Sequence, residues 1–505
     1  MTAELAPGSA AVRYDCLSIG GQWRPPVDPA VAEVVNPATA RVCGEVAIGG
    51  AADVDLAVDA ARTAGLRWSR TSPQFRAQLL EAVAERIRLR RNEFAEAISL
   101  EMGAPADNAR DTQTDLAVAV FESYAKLVNE FEWEETLGNS LIVHEPIGVV
   151  AAITPWNYPL YLASVKIAAA LASGCTVVFK PSIDAPLDGY LLVATIEEVA
   201  RECGAPAGLV NLVPGHGSVV GAALVAHPDV AAVSLTGSTN AGRQVSIAAA
   251  HSIKRVGLEL GGKSAAIIVD DVTDLAGVLS GALADVFFNS GQTCTSCARI
   301  LVPAARYDEA VELSAEIASR WTIGDPRLAG DHIGPVATRA QYESVIGHLE
   351  SGLAEGARLV VGGVCPPDRI PAGMENGFWI LPSVFSEIDP EMTIATEEIF
   401  GPVALLISYE DDEDAVRIAN SSIYGLSGAV WSADDDRALA LARRLETGRV
   451  VVNGGPFNVL APTGGYKQSG NGRELGMHGL REFLEVKNIQ RWLRISDEIL
   501  GVDSL

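Results

Sequence analysis

The chain has 505 residues, 48% hydrophobic and 20% charged; at about 150 residues per domain this allows two to four domains and excludes wholesale disorder. A chain this long buries about three-quarters of its unfolded surface, so it needs neither disulfides nor a metal to fold. Its 38 basic and 64 acidic residues give a net charge of −26, which argues against a nucleic-acid partner because such binders neutralise phosphates with basic patches; the charge reads as a solubility feature.

The first ten residues carry Glu4 and no Lys or Arg, so the basic segment of a secretory leader is missing. The most apolar stretch, Ile147 to Phe179, is interrupted by Pro155, Pro159 and Lys166, which argues against a membrane span. Seven cysteines (Cys16, Cys43, Cys175, Cys203, Cys294, Cys297 and Cys365) form an odd set in a long chain. They suit free thiols in a reducing compartment, and the expected location is cytoplasmic.

The first 50 residues are rich in Gly and Pro and read as extended. Ala52 to Ala64 and Ser72 to Met102 read as helices, with Gly65 and Gly103 as stops and Ser72-Pro73 as an N-cap followed by a first-turn proline. Asp111 to Phe131 reads as a third helix. From Pro146 short β-branched runs alternate with helical stretches. Strands are predicted at Gly148 to Ile153, Thr176 to Phe179, Leu209 to Val213, Val230 to Leu235 and Lys254 to Leu260. Helices lie at Leu162 to Ala172, Leu187 to Glu202, Val219 to Ala226 and Ala241 to Ala250. The alternation resumes with strands at Ser264 to Val269 and Ala298 to Val302 and helices at Leu275 to Phe288 and Tyr307 to Trp321. After Leu359 to Val361 a long Pro/Gly loop runs to Trp379. Further units fall at Val403 to Ser408, Glu413 to Asn420, Gly428 to Trp431, Asp435 to Leu445 and Arg449 to Asn453. Near-continuous apolar strands separated by helices predict an α/β protein with parallel sheets covered on both faces, in two domains joined near Gly261-Gly262.

Among the thiols, Cys175 lies in an apolar run and reads as packing. Cys294 lies in a small, polar segment, Asn289-Ser-Gly-Gln-Thr-Cys, which predicts an exposed turn where a nucleophile can meet substrate. Cys294 and Cys297 spell C-x-x-C, but no second ligand pair accompanies them, so no metal site is expected; a redox pair fits the spacing but not its place in the chain. No Gly-x-Ser-x-Gly elbow is present. Thr236-Gly-Ser-Thr-Asn-Ala-Gly242 follows a strand and opens a helix, so it reads either as a phosphate cradle or as a plain cap. Glu259, ahead of Gly261-Gly262, reads as a cleft carboxylate or as an ordinary exposed one.

Together these segments resemble the aldehyde dehydrogenase superfamily. The motifs follow in family order: Pro155-Trp-Asn-Tyr-Pro159, Lys180-Pro-Ser, Gly237-Ser-Thr-x-x-Gly242, Glu259-Leu-Gly-Gly-Lys263, Gly291-Gln-Thr-Cys294, Glu398-Ile-Phe-Gly-Pro402, and Gly464-Gly-Tyr-Lys-x-Ser-Gly470 with Gly472-Arg-Glu-Leu-Gly476. The resemblance implies NAD- or NADP-dependent oxidation of an aldehyde to a carboxylic acid. Cys294 would form a thiohemiacetal and then a thioester, Asn157 with the Cys294 N–H would hold the oxyanion, and Glu259 would activate the hydrolytic water. Lys166 and Glu474 match positions of a proton path. Trp156, Lys180, Ser182, Gly217, Gly237, Ser238 and Leu260 would contact the dinucleotide, and Glu398 and Phe400 its nicotinamide ribose region.

Two departures from the family pattern bear on specificity. Ile183 stands where a Glu commonly selects NAD, leaving NAD or NADP with NAD favoured. Thr463 replaces an aromatic pocket residue; Tyr158, Tyr161, Leu162, Phe288 and Phe457 would line an uncharged pocket for an apolar aldehyde. The resemblance implies two Rossmann-like domains: a dinucleotide-binding domain of residues 1–130 and 155–262, and a thiol domain of residues 263–475. Bridging segments 131–154 and 476–505 would complete a homodimer or homotetramer, with strands in Glu132 to Val150 and near Phe483 to Leu493. Transfer of the acyl group to coenzyme A and a non-catalytic use of the same fold are the alternatives. Glu259 argues against the first; intact Cys294, Asn157 and Glu259 argue against the second.

Overall fold

The computed structural model describes residues 12–492. Two large sheets organise it. The first has eight strands, in the order Gly470–Asn471, Arg255–Glu259, Val230–Thr236, Val149–Ile153, Thr176–Lys180, Val210–Leu212, Leu17–Ile19 and Gln22–Arg24. The five from Arg255–Glu259 through Val210–Leu212 run parallel; the outer ones are antiparallel. Strands such as Val149–Ile153 and Thr176–Lys180 are buried throughout, as expected where helices cover both faces.

The intervening helix Pro159–Ser173 is almost wholly buried. Its alanines let it pack closely between the sheet and the helices Pro73–Leu89 and Asp115–Glu130. It starts with Pro159 in the first turn and stops at Gly174, whose φ of 92° and position against the Arg76 guanidinium leave no room for a side chain.

The second sheet has seven strands: Arg358–Val364, Ile380–Ser386, Val403–Tyr409, Arg299–Pro303, Ala265–Ile268, Ser427–Trp431 and Arg449–Val452. All but the first are parallel. Separate apolar clusters cover its two faces. A third, antiparallel sheet orders Leu484–Gln490, Ser140–Pro146 and Glu134–Leu137.

Several expectations are corrected. Gly65 does not end the first helix, which runs Ala51–Trp68; Gly65 instead packs on Thr176 of the sheet. The predicted Ser72 to Met102 helix is two, Pro73–Leu89 and Arg91–Met102, broken at Arg90 (φ −100°, ψ 17°). The strand Ile380–Ser386 lies immediately beyond the predicted loop, and the helix Arg339–Ala354 is one the pattern did not suggest. The Leu141–His144 stretch pairs on both sides, in a hairpin with Glu134–Leu137 and antiparallel to Leu484–Gln490. Val149–Ile153, assigned to a bridging segment, is a central strand of the first sheet, because it pairs on both sides. Gly470–Asn471 also joins that sheet, although it falls within residues 263–475. Residues 1–11 and 493–505 of the predicted segments, with Leu493, lie outside the described residues.

Candidate active site

Cys294 sits where the helix Leu275–Phe287 gives way to the strand Arg299–Pro303. Three consecutive left-handed residues precede it: Asn289 (φ 52°), Ser290 (φ 57°) and Gly291 (φ 73°). Such backbone is costly for the two that carry side chains and persists only where neighbours overdetermine it. Here they do. The Ser290 hydroxyl donates to the Gly334 carbonyl at 2.8 Å. The Gln292 amide donates to the Asn289 carbonyl at 3.0 Å and accepts from the Ala337 N–H at 2.8 Å. A side chain at Gly291 would overlap the Gly401 carbonyl.

The first sheet presents its partners to this turn. Asn157 Nδ2 donates to the Gln292 carbonyl at 3.0 Å, and Asn289 Nδ2 donates to the Asn157 carbonyl at 3.0 Å. One Asn157 amide hydrogen is thereby fixed, which leaves its second free to donate. A Cβ at Gly262 would stand 2.5 Å from the Cys294 carbonyl oxygen, so glycine there permits the close approach of the two segments. The expected exposed turn is instead half-buried. Burial, then the Glu398 and Glu259 carboxylates, pushes the Cys294 thiol up to about 12 from its ordinary 9.0. The resting group is a thiol, not a thiolate.

Glu259 ends the strand Arg255–Glu259. Its Oε1 is buried without a hydrogen-bond partner, and a Cβ at Gly464 would come within 2.7 Å of that oxygen. Burial first, and then Glu474, holds its carboxyl well above the usual range. Behind it lies a cavity of ≈ 20 Å³ lined by Glu259, Lys166, Ser234, Arg473, Glu474 and Glu482, among others. That is room for about one water molecule. Lys166 Nζ donates to Glu474 Oε1 at 2.5 Å and to Ser234 Oγ at 3.1 Å.

The predicted cofactor residues cluster beyond the C-terminal ends of four adjacent parallel strands, where open α/β sheets bind ligands. Trp156 follows Val149–Ile153, Lys180 ends its strand, Gly237 and Ser238 follow Val230–Thr236, and Leu260 follows Arg255–Glu259. The Thr236 hydroxyl is buried without a partner beside the N-terminus of the helix Thr239–Ala250. Ser238 caps that helix through the Ala241 N–H at 3.2 Å, so the capping reading also holds. A Cβ at Gly242 would stand 2.5 Å from Leu260 Cδ1, which explains the glycine in that turn. Lys180 is buried, donates to the Pro181 carbonyl at 2.8 Å and is lowered by burial to about 8; the Gly217–Gly221 turn packs against its stem. Ser182 bonds Asp184 at 3.1 Å. Across the junction, Phe400 meets Trp156 edge-on at 5.5 Å. Glu398 accepts the Gly262 N–H at 2.9 Å, and burial pushes it up to about 7. Unused donors beside a helix N-terminus, a buried lysine and a buried carboxylate fit a dinucleotide.

On the substrate side the structure forms an aromatic row. The Tyr158 hydroxyl lies 2.8 Å from Thr293 Oγ1; Tyr158 meets Tyr161 at 6.5 Å, and Tyr161 meets Phe457 at 6.4 Å, both edge-on. Leu162 is buried yet belongs to none of the apolar cores. Phe288 lies at the start of the thiol turn, 37% exposed. At the end of this row stands a charge that the sequence reading did not place there: the Arg449 guanidinium lies over Phe457, 5.4 Å from the ring centroid. Sequence reading also missed the supports Asn289, Gln292 and Thr293. Gln292 and Thr293 stand inside the Gly291 to Cys294 motif but carry no chemistry that marks them. Arg449 opens a valine run and reads only as a strand start.

A desolvated thiol, with an amide anchored to its turn and a carboxylate near enough to raise it, beside the C-terminal crest of a parallel sheet, defines an enzyme class that works through a covalent cysteine adduct. The chain belongs to the aldehyde dehydrogenase family, whose model matches residues 23–489. It is 46% identical over 472 residues to a 3-succinoylsemialdehyde-pyridine dehydrogenase of a Pseudomonas species, covering 93% of this chain and 97% of that one. It is 41% identical over 485 residues to the geranial dehydrogenase of Castellaniella defragrans, covering 95% and 99%. Among solved structures, a cysteine-to-alanine variant of Pseudomonas syringae aldehyde dehydrogenase C in complex with NAD+ and octanal superposes with a TM-score of 0.92 at 43% identity, covering 98% and 99%. The Mycobacterium tuberculosis aldehyde dehydrogenase with NAD+ gives 0.92 at 39% identity, covering 96% and 100%. The protein is an oxidoreductase that converts an aldehyde to a carboxylic acid with NAD or NADP, through a cysteine thiohemiacetal and thioester. No helix among the described residues is long and apolar enough to cross a membrane.

Proposed function

We propose that Cys294 is the nucleophile of this oxidation, with Asn157 and the Cys294 N–H holding the oxyanion and Glu259 activating water. The observation that carries the reading is that Asn157 and Gly262 close on the Cys294 turn, at the Gln292 and Cys294 carbonyls, while the Glu259 carboxylate lies near enough to raise the desolvated thiol. The thiol is protonated at rest; as the site fills it gives its proton to the Glu259 carboxylate, which releases it along Lys166 and Glu474 before hydrolysis. Attack makes an S–C bond and places negative charge on the former carbonyl oxygen, where the second Asn157 hydrogen and the Cys294 N–H receive it; one such donor is worth about 10²–10³ in rate. A bound NAD+ or NADP+ would supply the hydride acceptor, and loss of hydride from the adduct leaves the acyl group on Cys294 as a thioester. Water then attacks the thioester, Glu259 takes its proton, and the C–S bond breaks. Lys166 and Glu474 carry that proton away through the cavity behind Glu259.

Trp156, Lys180, Ser182, Gly217, Gly237, Ser238 and Leu260 hold the dinucleotide, and Glu398 with Phe400 holds its nicotinamide end. Ile183 neither bonds ribose hydroxyls nor repels a 2′-phosphate, so both cofactors enter; NAD is favoured, in keeping with the NAD+ complexes of the relatives. Tyr158, Tyr161, Leu162, Phe288 and Phe457 receive an apolar aldehyde stem, a reading supported by octanal in the P. syringae complex. The first sheet and its helices serve the cofactor and the second carries the thiol. Strand edges at Leu484–Gln490 and Glu134–Leu137, unpaired among the described residues, with Val486 and Leu137 exposed, support a homodimer or homotetramer. Cytoplasmic residence accords with seven free cysteines.

The test is Cys294→Ser assayed with octanal and NAD+. Loss of NADH formation, with the thermal midpoint retained, is expected; near-normal NADH production refutes the assignment.

A further inference from the structure

Beside the aldehyde site stands a half-buried cation that the proposed reaction does not use. Arg449 opens the edge strand Arg449–Val452, and its Nε is buried without a hydrogen-bond partner. Alternation along the strand puts it on the face of Val451, which packs against the cluster of Cys297, Ala266 and Ala429. Arg449 therefore faces the thiol side of the sheet. Its charge favours the ionised forms of Cys294, Cys297 and Asp285. Asp285 is already engaged, accepting the Cys297 N–H at 2.9 Å, and among the described residues no ion pair joins it to Arg449.

Arg449 lines a cavity of ≈ 220 Å³ together with Phe457, Pro462 and Thr463. Two paths tie that cavity to the reacting groups. Phe457 leads through Tyr161 and Tyr158 to Thr293, the residue before Cys294. Thr463 pairs with Glu474 and precedes Gly464, which abuts Glu259. Packing thus links the cavity to the aromatic row through Phe457 and to the segment beside Glu259 through Thr463.

A guanidinium stays charged and offers a planar fork matched to carboxylate or carbonyl oxygens. With a donor buried and unfilled among apolar walls, it is stabilised by any acceptor that reaches it. We infer that Arg449 is the specificity-determining residue for the far end of the substrate: it binds a carboxylate or ketone oxygen carried several bonds from the reacting carbonyl, while Tyr158, Tyr161 and Phe457 hold the apolar stem. The inference rests on the aldehyde-site reading above and deepens it; the preferred substrates are amphipathic aldehydes, not plain alkanals.

The experiment measures kcat and KM for chain-matched pairs: pentanal with glutaric semialdehyde, hexanal with adipic semialdehyde, and octanal with suberic semialdehyde. It uses the wild type, Arg449→Lys and Arg449→Met. The wild type should favour the acid-ended partner at one chain length. In Arg449→Met that preference should fall by about 10–100-fold, the worth of one charge-assisted hydrogen bond, and the loss should appear in KM. Arg449→Lys keeps the charge without the fork and should recover part of it. An unchanged acid-to-alkanal ratio in Arg449→Met overturns the inference. So does an equal loss on both partners, which would make Arg449 a prop for Asp285 and the thiol turn. If the wild type oxidises neither partner of any pair, the aldehyde-site reading itself fails, a result distinct from either of these.

Discussion

Glu259 and Cys294 share a difficulty that their surroundings impose. Both are desolvated, and burial dominates at both: Glu474 adds to the rise at the first, and Glu398 and Glu259 add to the rise at the second. A carboxyl held above its usual range is a base only above that raised value, so turnover limited by hydrolysis should still climb with pH well above the ordinary carboxylate range. Replacing Glu259 with Gln should leave a first-turnover burst of NADH and slow the steady state by about 10²–10⁴. Rapid-mixing measurements of the burst, followed by the steady rate, check this; an unchanged steady rate would show that another group activates water. At this scale the motifs made Cys294, Glu259 and Asn157 legible, because each carries a reactive or donating group in a distinctive local pattern. Arg449 was not legible. Its meaning depends on which face of a strand it occupies and on Phe457 approaching from another segment.

The thiol turn is where element geometry matters most. Three left-handed residues in a row can stand only because Gly334, Ala337 and Gly401 are delivered to them by distant parts of the chain. Gly291 has a positive φ and no space for a Cβ, so Gly291→Ala should cost roughly 2–4 kcal/mol and displace the sulfur. A lower thermal midpoint together with a fall in kcat/KM is expected; a variant matching the wild type in both would show that the turn is less constrained than its contacts require. Helices were legible where punctuation was strong: Ser72-Pro73 does begin one, with the Phe75 N–H donating to Ser72 Oγ, and Gly103 does end one in left-handed backbone. The break at Arg90 was hidden. Arg90 is a good helix former, and it leaves the helix to hold Glu93 and Thr195 with its guanidinium.

Across the whole molecule, burial also sets a pH dependence of stability. Glu101, on the helix Arg91–Met102, accepts the N–H groups of Leu187 and Asp188 at 2.6 and 3.0 Å, where the helix Leu187–Cys203 begins. Both acids are buried and lie together, and the Asp188 carboxylate has no hydrogen-bond donor. Burial, then its neighbour Asp188, raises Glu101; burial raises Asp188 from 3.8 to about 7. A folded-state value above the unfolded one means that the protonated pair favours folding. That contribution is complete below the unfolded value and is lost as pH rises through about 7. Between about pH 5 and pH 8 the loss should be roughly 2–3 kcal/mol. Asp188→Asn cannot ionise, so its thermal midpoint should vary less with pH than that of the wild type. Parallel pH profiles for the two proteins would refute the buried-pair account.

From the sequence alone came the alternation of apolar strands and helices, the identity of the reactive groups and the family pattern, because these depend on local periodicity and on residue types at short spacing. Only the tertiary structure decided that the thiol is desolvated, that Asn157 is anchored to the Gln292 carbonyl, that Gly464 abuts Glu259 and that Arg449 faces the thiol side of its sheet. Each joins residues far apart in the chain. Desolvation and close approach are properties of what surrounds an atom, and no local run of residues specifies its surroundings.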